Sequence, residues 1–410
     1  MVEAGRAARL RSGPGLPREI HVLAAAAFVI AIGYGLVAPV LPAFARSFDV
    51  GLTAASAVIS AFALFRLGFA PVSGRLVGRI GELRTYLIGL GIVAASTGAC
   101  AFAARYWQLL LFRSLGGIGS TMFTVASVSM LVRLAPPSMR GRASGLWATG
   151  FLLGNVTGPL VGGGLVVFGL RAPFVIYAGM LLVAMALTGL LLHGRPGFAM
   201  TTGAQAPLLT FRTALGHPAY RAALSAAFAN GWAVFGVRVA LVPLFVVEAL
   251  GRTESWAGIA LAVFAAGNAV TLVTAGRLAD RRGRRPPILV GLAVSAAATG
   301  VLGLVPTLPL FLAVSLVAGL GSGLVNPPVN AAVADVVGSQ ARGGKVLAGF
   351  QMAADVGAIV GPLAAGAIAQ AAGFGAAFGL TGLVGALALV LWLRAPETLP
   401  PPVPAPPEQP

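Results

Sequence analysis

Four ionisable residues stand inside long apolar stretches of this chain: Arg66, Arg113, Arg238 and Asp355. At mid-depth in a bilayer each costs at least ~2.5–3.5 kcal/mol, so such side chains face a wet interior or one another. Asp355 comes ten residues after Lys345, and Arg113 eight after Arg105. Arg238 comes ten before Glu248 and Arg66 nine before Arg75. At ~1.5 Å per helical residue, all four reach the middle third of an apolar layer ~30 Å thick. A carboxylate at that depth can take and release a proton or hold a cation, and it can equally be fixed in an ion pair with an arginine. Three arginines against one acid leave the level cationic, which favours an anionic or carboxylate-bearing compound. Asn155, Asn230, Asn268, Asn326 and Asn330 either line the same cavity or hydrogen-bond between helices. Trp232, Phe235 and Trp147 offer an apolar wall or plain packing.

Other chemistries lack their residues. His21, His193 and His217 fall at or outside the ends of the apolar stretches, away from any nucleophile, so neither hydrolytic nor metal catalysis is expected. The single cysteine, Cys100, permits no internal disulfide. No phosphate-binding loop of the G-x-x-x-x-G-K-[ST] kind occurs, so ATP is not the expected driving force, and no cofactor or metal is implied. Asp49 and Glu82 are read as loop residues, which leaves the first half of the chain without a carboxylate in a span.

The elements that position these residues follow from composition. Apolar residues make up 58% of the 410 and charged residues 10%, too few charges to cover a water-soluble surface. Stretches of about 20 apolar residues recur near 22–45, 53–74, 83–104, 107–131, 143–169 and 172–193. They recur again near 220–249, 256–276, 287–305, 309–334, 345–371 and 374–394. The chain is thus read as an all-α membrane protein of twelve spans in two six-helix bundles, 22–193 and 220–394. These are joined by a linker at 194–219 and flanked by a tail at 1–21 and a proline-rich tail at 395–410. The first apolar run is too long for a signal peptide and reads as an uncleaved span. The net charge of +17 is gathered in short clusters between spans, a topology signal rather than a nucleic-acid face. With twelve spans, 21 Lys and Arg side chains fall on the side of the termini and four on the other. Both termini are therefore expected in the cytoplasm of a cell bounded by this inner membrane.

The two bundles repeat. Gly74-Arg75-Leu76 returns as Gly276-Arg277-Leu278, Gly117 and Gly119 as Gly319 and Gly321, and Arg140-Gly141 as Arg342-Gly343, each pair 202 residues apart. Gly158-Pro159 returns as Gly361-Pro362. A parallel repeat around a midplane site is one of the known transporter plans. The stretch Gly276-Arg277-Leu278-Ala279-Asp280-Arg281-Arg282-Gly283-Arg284-Arg285 resembles the signature loop of the major facilitator superfamily, and the resemblance extends over residues 22–394. The copy at 74–84 has Gly78 in place of the acid. Arg113 with Gly117 and Gly119 is similar to the fourth-span pattern of that family. Gly154, Gly158, Pro159, Gly162 and Gly163 are similar to the fifth-span motif of its drug:proton antiporters.

The resemblance implies several things. Asp280, with Gly276, Arg281, Gly283 and Arg284, would latch onto the start of the fifth span near Arg140 and Arg142 and hold a cytoplasmic gate shut. The face of Gly154, Gly158 and Gly162 would pack on the eighth span. Arg113 would take part in proton coupling. The expected activity is export of a small amphipathic organic compound by a monomer, by alternating access and in exchange for protons; the alternative is import or facilitated passage of a small polar or anionic metabolite.

Overall fold

The computed structural model describes residues 16–135, 139–192, 211–337 and 344–399. Within these it is built of helices, and each begins or stops where the sequence carries a reason. α1 (Arg18–Val37) is halted two residues before Pro39 and resumes as a short helix, Leu41–Arg46, with Pro42 in its first turn. α2 (Leu52–Ile80) and α3 (Glu82–Ala101) are separated by Gly81 alone, at φ 85. α4 (Tyr106–Leu134), α5 (Arg140–Leu165) and α6 (Ala172–Leu192) complete the first half.

The second half opens with α7, which starts at Pro218–Asn230. It continues through π-helical Gly231–Val237, α-helical Arg238–Leu244 and π-helical Phe245–Ala249. α8 (Glu254–Arg282), α9 (Arg285–Val301) and α10 (Leu308–Val337) follow. The last helical stretch, Gly344–Arg394, would be about 75 Å long if straight, far beyond a bilayer's ~30 Å. Gly373 (φ 84, ψ 170) breaks it into α11 (344–372) and α12 (374–394). Among the described residues eleven continuous helical stretches are long and apolar enough to span, and division at Gly373 makes twelve.

α2 and α8 run on to Ile80 and Arg282, so most of the segment read as a loop after the eighth span is helix. The turn itself is Gly283, at φ 100, the repeat partner of Gly81.

Gly117 explains how α4 crosses α2. A Cβ there would collide with the Phe62 carbonyl and the Arg66 amide, so only hydrogen fits. At Gly319 a Cβ would meet the Phe264 carbonyl and the Asn268 amide in the same way. One crossing is therefore used twice, and it sets Phe62 and Phe264 at matching depths in the two halves.

The halves meet along α2–α11 and α5–α8, and where the Arg238–Leu244 segment of α7 touches α2 and the Leu41–Arg46 helix. These contacts run from mid-depth to the end of the bundle away from the termini, called here the far end. Toward the terminal end Gly74 and Gly78 of α2, Gly145 of α5 and Gly276 of α8 face open space. This open space is called here the chamber.

Candidate functional site

At mid-depth the structure brings two of the four buried charges together across the halves. Arg66 Nε of α2 lies 3.8 Å from Asp355 Oδ1 of α11, with side chains 33% and 15% exposed. This is a contact of opposite charges, too long for a direct hydrogen bond. α7 approaches at the same level: Gly231, at the start of its first π-turn, lies directly on the Ala354 carbonyl. π-turns inside helices collect at functional sites, and this one borders the sole acid in the chamber wall among the described residues.

Among the described residues, Arg113 and Arg238 find no acid. The Arg113 guanidinium sits 4.2 Å from the centre of the Phe62 ring and 5.8 Å from that of Tyr34. The Arg238 guanidinium sits 3.5 Å from the centre of Phe264. Both arginines are buried, 6% and 4% exposed, and Arg113 Nε and Arg238 Nε and Nη1 have no hydrogen-bond partner. Cation–π attraction holds each group without satisfying its donors.

The remaining polar residues are distributed differently. Asn268 Nδ2 donates to Ser322 Oγ (3.2 Å), bonding α8 to α10. Asn230 lines a small, mostly apolar cavity inside the second half, to which Ser295, Thr299, Ser322 and Thr381 add polar groups. Trp232 Nε1 donates to Thr381 Oγ1 (3.2 Å), which places Trp232 inside the second bundle. Asn330 Nδ2 donates to the Asn326 carbonyl of its own helix (2.9 Å). Asn155 is half-buried on α5, and Trp147 stacks on Phe151 at 5.6 Å.

The far end is shut by polar contacts. Arg46 Nε pairs with Glu248 Oε1 at 2.8 Å, and the two residues are themselves 202 apart. A repeat position thus bonds its own counterpart, which places the pair on the pseudo-twofold axis. The Thr53 amide and hydroxyl both donate to Gln370 Oε1, at 3.2 and 3.1 Å. The Arg46–Glu248 pair is solvated and is worth ~0–1 kcal/mol. Arg46→Glu is expected to shift the population toward a far-end-open state up to about fivefold, and the exchange Arg46→Glu/Glu248→Arg to restore it. Accessibility of cysteine reporters in the chamber to a membrane-impermeant thiol reagent measures this, and no change in either variant counts against the latch.

Sequence repetition held a second pair of contacts that motif reading missed. Glu82, read as a loop residue, is buried at the first turn of α3 and bonds Arg133 and Ser129 of α4. Arg284 Nε bonds Asp335 Oδ2 of α10 at 3.0 Å. Positions 82 and 284, like 133 and 335, are 202 apart: the same bridge stands in both halves with its charges exchanged.

Among the described residues, Asp280 makes no bond to the start of the fifth span. Asp280 is 73% exposed and accepts from Arg284 Nη1 at 2.7 Å. Arg142 is exposed, as is Arg281, and the Arg140 side chain lies outside the described residues.

Glu397, also unforeseen, caps α9. It accepts from the Arg284 amide (2.8 Å) and the Arg285 amide (3.0 Å), and from the Thr398 and Leu399 amides (both 2.9 Å). Burial pushes its carboxyl up, but these four donors outweigh burial and hold it below the usual carboxylate range. Its stabilisation is therefore complete above the ordinary Glu value and is lost as pH falls through the depressed one. Glu397→Gln is expected to loosen residues 395–399 at neutral pH, read as at least about fivefold faster amide exchange there. Unchanged exchange would remove the cap from the account.

The sequence profile of the Major Facilitator Superfamily matches residues 23–251 and 223–410. The chain belongs to this superfamily. It is 28% identical over 190 residues to the quinolone resistance protein NorA of Staphylococcus aureus, covering 46% of this chain and 48% of that protein. The chain thus spans about half the length of these curated relatives. It is 32% identical over 139 residues to an uncharacterised superfamily transporter of Mycobacterium tuberculosis, covering 34% of this chain and 24% of that one. Among solved structures, a bacterial homologue of the human lysosomal transporter Spinster, inward-facing and unoccupied, matches with a TM-score of 0.77 at 18% identity, covering 93% and 97% of the two chains. A POT family transporter in complex with 5-aminolevulinic acid matches at 0.75 and 12%, covering 93% and 96%. The chain is a multi-pass membrane protein of a superfamily of transporters.

The superfamily's glycine motif packs otherwise than its resemblance implied. Gly154, Gly158 and Gly162 lie against α1, at Ala31, Gly35 and Leu36. Residues on the adjacent face make the seam to α8, where Gly163 meets Ser255 and the Pro159 carbonyl meets Gly258. Glycines four apart line one helix face, and that spacing cannot say which neighbour comes to it.

Proposed function

We propose that this superfamily member is a secondary active exporter of a small amphipathic organic compound, working as a monomer by alternating access in exchange for protons. The observation that carries this reading is the Arg66–Asp355 pair, which joins the halves at mid-depth beneath a closed far end. A proton on Asp355 cancels the charge that holds α11 to α2, so protonation and rearrangement are coupled through one contact. Asp355 is also the sole acid at that depth among the described residues. The clustering of cations on the terminal side supports termini, and an open mouth of the chamber, on the cytoplasmic side of the inner membrane. A chamber open there is ready to load from inside. The drug-resistance name of a relative supports the same direction.

Inverted membrane vesicles with an acid interior test it. A fluorescent quinolone is expected to accumulate and to leak away when a proton–potassium exchanger collapses the gradient. The surplus of buried arginines favours a second reading, facilitated passage of a small anionic metabolite. Movement at the same rate with and without the gradient would establish that reading and end the first.

A further inference from the structure

Once Arg66 is matched with Asp355, two guanidinium groups remain at mid-depth with no counter-charge among the described residues: Arg113 and Arg238. Buried donors without acceptors are rare, and each calls for a cause. Phe62 and Phe264 stand 202 apart and each carries an arginine, but the arginines come from unrelated positions, α4 in one half and α7 in the other. The repeat therefore did not produce this arrangement by duplication alone. Each half has acquired its own cation over an equivalent ring.

The two cations differ in place. Arg113 lies inside the first half, beside Tyr34 and Phe62. Arg238 opens the segment that touches α2 and the Leu41–Arg46 helix, and its guanidinium lies over Phe264 in the second half. It follows the π-turn of α7, and Phe235 of that turn is exposed. A guanidinium with free Nε and Nη1 presents the fork that fits a planar carboxylate.

We propose that Arg238, stacked on Phe264, receives the anionic group of the transported compound, and that this compound is an amphipathic organic carboxylate rather than a lipophilic cation. The assignment rests on the transport reading and names its substrate class. The carboxylate supplies the missing acceptors and charge. The apolar body lies along exposed Phe235, three residues before Arg238 on α7. With the far end closed the fork is buried, and rearrangement of α7 uncovers it, so the site is complete only during the transport cycle.

The test is equilibrium binding to the purified full chain in lipid nanodiscs, read by tryptophan fluorescence. Three probes share one aromatic body: naphthoate, naphthamide and trimethylnaphthylammonium. Naphthoate is expected to bind about 10- to 100-fold tighter than either other probe, the range for charge-assisted hydrogen bonds. Arg238→Gln is expected to erase that preference while leaving naphthamide unchanged. Arg238→Lys, which keeps the charge without the fork, is expected to fall between. If Arg238→Gln does not fold, the wild-type preference and Arg238→Lys decide. Equal or tighter binding of the ammonium by the wild type overturns the proposal, as does an unaltered naphthoate preference in the folded variants. Binding at equilibrium needs no gradient, so a failure here leaves proton-driven export standing, and a failure of gradient-driven uptake leaves this site standing.

Discussion

Asparagine at position 355 is expected to abolish accumulation driven by a pH gradient while the protein still folds and binds its cargo. The substitution keeps the size of the side chain and removes its charge. Arg66 is then uncompensated, at a cost below the ~3–5 kcal/mol of a fully buried broken pair because its side chain is 33% exposed. About 1–3 kcal/mol shifts a two-state equilibrium roughly 5- to 150-fold, toward states in which α2 and α11 are apart. Without a titratable group at this contact, the gradient no longer acts on it. Proteoliposomes are expected to show downhill movement of the quinolone at a measurable rate and no uphill movement. Arg66→Gln tests the other side of the pair by leaving Asp355 without its cation. If Asp355→Asn concentrates the compound as strongly as the wild type, the coupling proton sits elsewhere.

The level at which these groups meet was legible from the sequence, because depth in a bilayer is counted residue by residue from flanking charges. Which of them meet was not. Arg66 and Asp355 belong to different halves, and their contact depends on how the bundles tilt, which no periodicity encodes. The repeat offset was visible at glycines and arginines. Had positions 82, 133, 284 and 335 been compared at that same offset, the charge-exchanged bridges would have emerged, since Glu82 stands opposite Arg284 and Arg133 opposite Asp335. They were missed because motif reading looks for identity, and here the two copies preserve the contact by reversing its sign. The Arg46–Glu248 pair escaped for a related reason: it joins repeat positions that differ in charge, as a contact on a twofold axis must if it is to be attractive. The π-turns of α7 left no sequence signal, because its apolar run satisfies α and π geometry equally. The state of the molecule was equally hidden: Asp280 can latch or stand free, and the choice lies with the whole bundle.

The clearest energetic test of the duplicated design lies at Gly117 and Gly319. Alanine favours a helix over glycine by roughly 0.5–1 kcal/mol, so Gly→Ala on an open helix face is stabilising. Gly179, whose added methyl meets nothing within 4 Å, is expected to show that gain. At Gly117 the methyl would strike the Phe62 carbonyl and the Arg66 amide, backbone atoms that cannot rotate away. Overpacking of this kind costs about 1–3 kcal/mol, and more where backbone must move, so it outweighs the helix gain and reverses the sign. Gly319→Ala, facing the Phe264 carbonyl and Asn268 amide, is expected to lose a similar amount, since the crossing is the same. Function then separates the two. Parting α4 from α2 displaces Arg66 from Asp355, so Gly117→Ala should lose gradient-driven transport beyond its loss of stability. Parting α10 from α8 moves Phe264 under Arg238 and leaves the ion pair in place, so Gly319→Ala should keep the gradient response and weaken naphthoate binding. Thermal unfolding of the three variants in nanodiscs fixes the signs. Equal gains at all three sites would mean that the helices cross with room to spare, and that the glycines at Gly117 and Gly319 do not set the depth of the two aromatic rings.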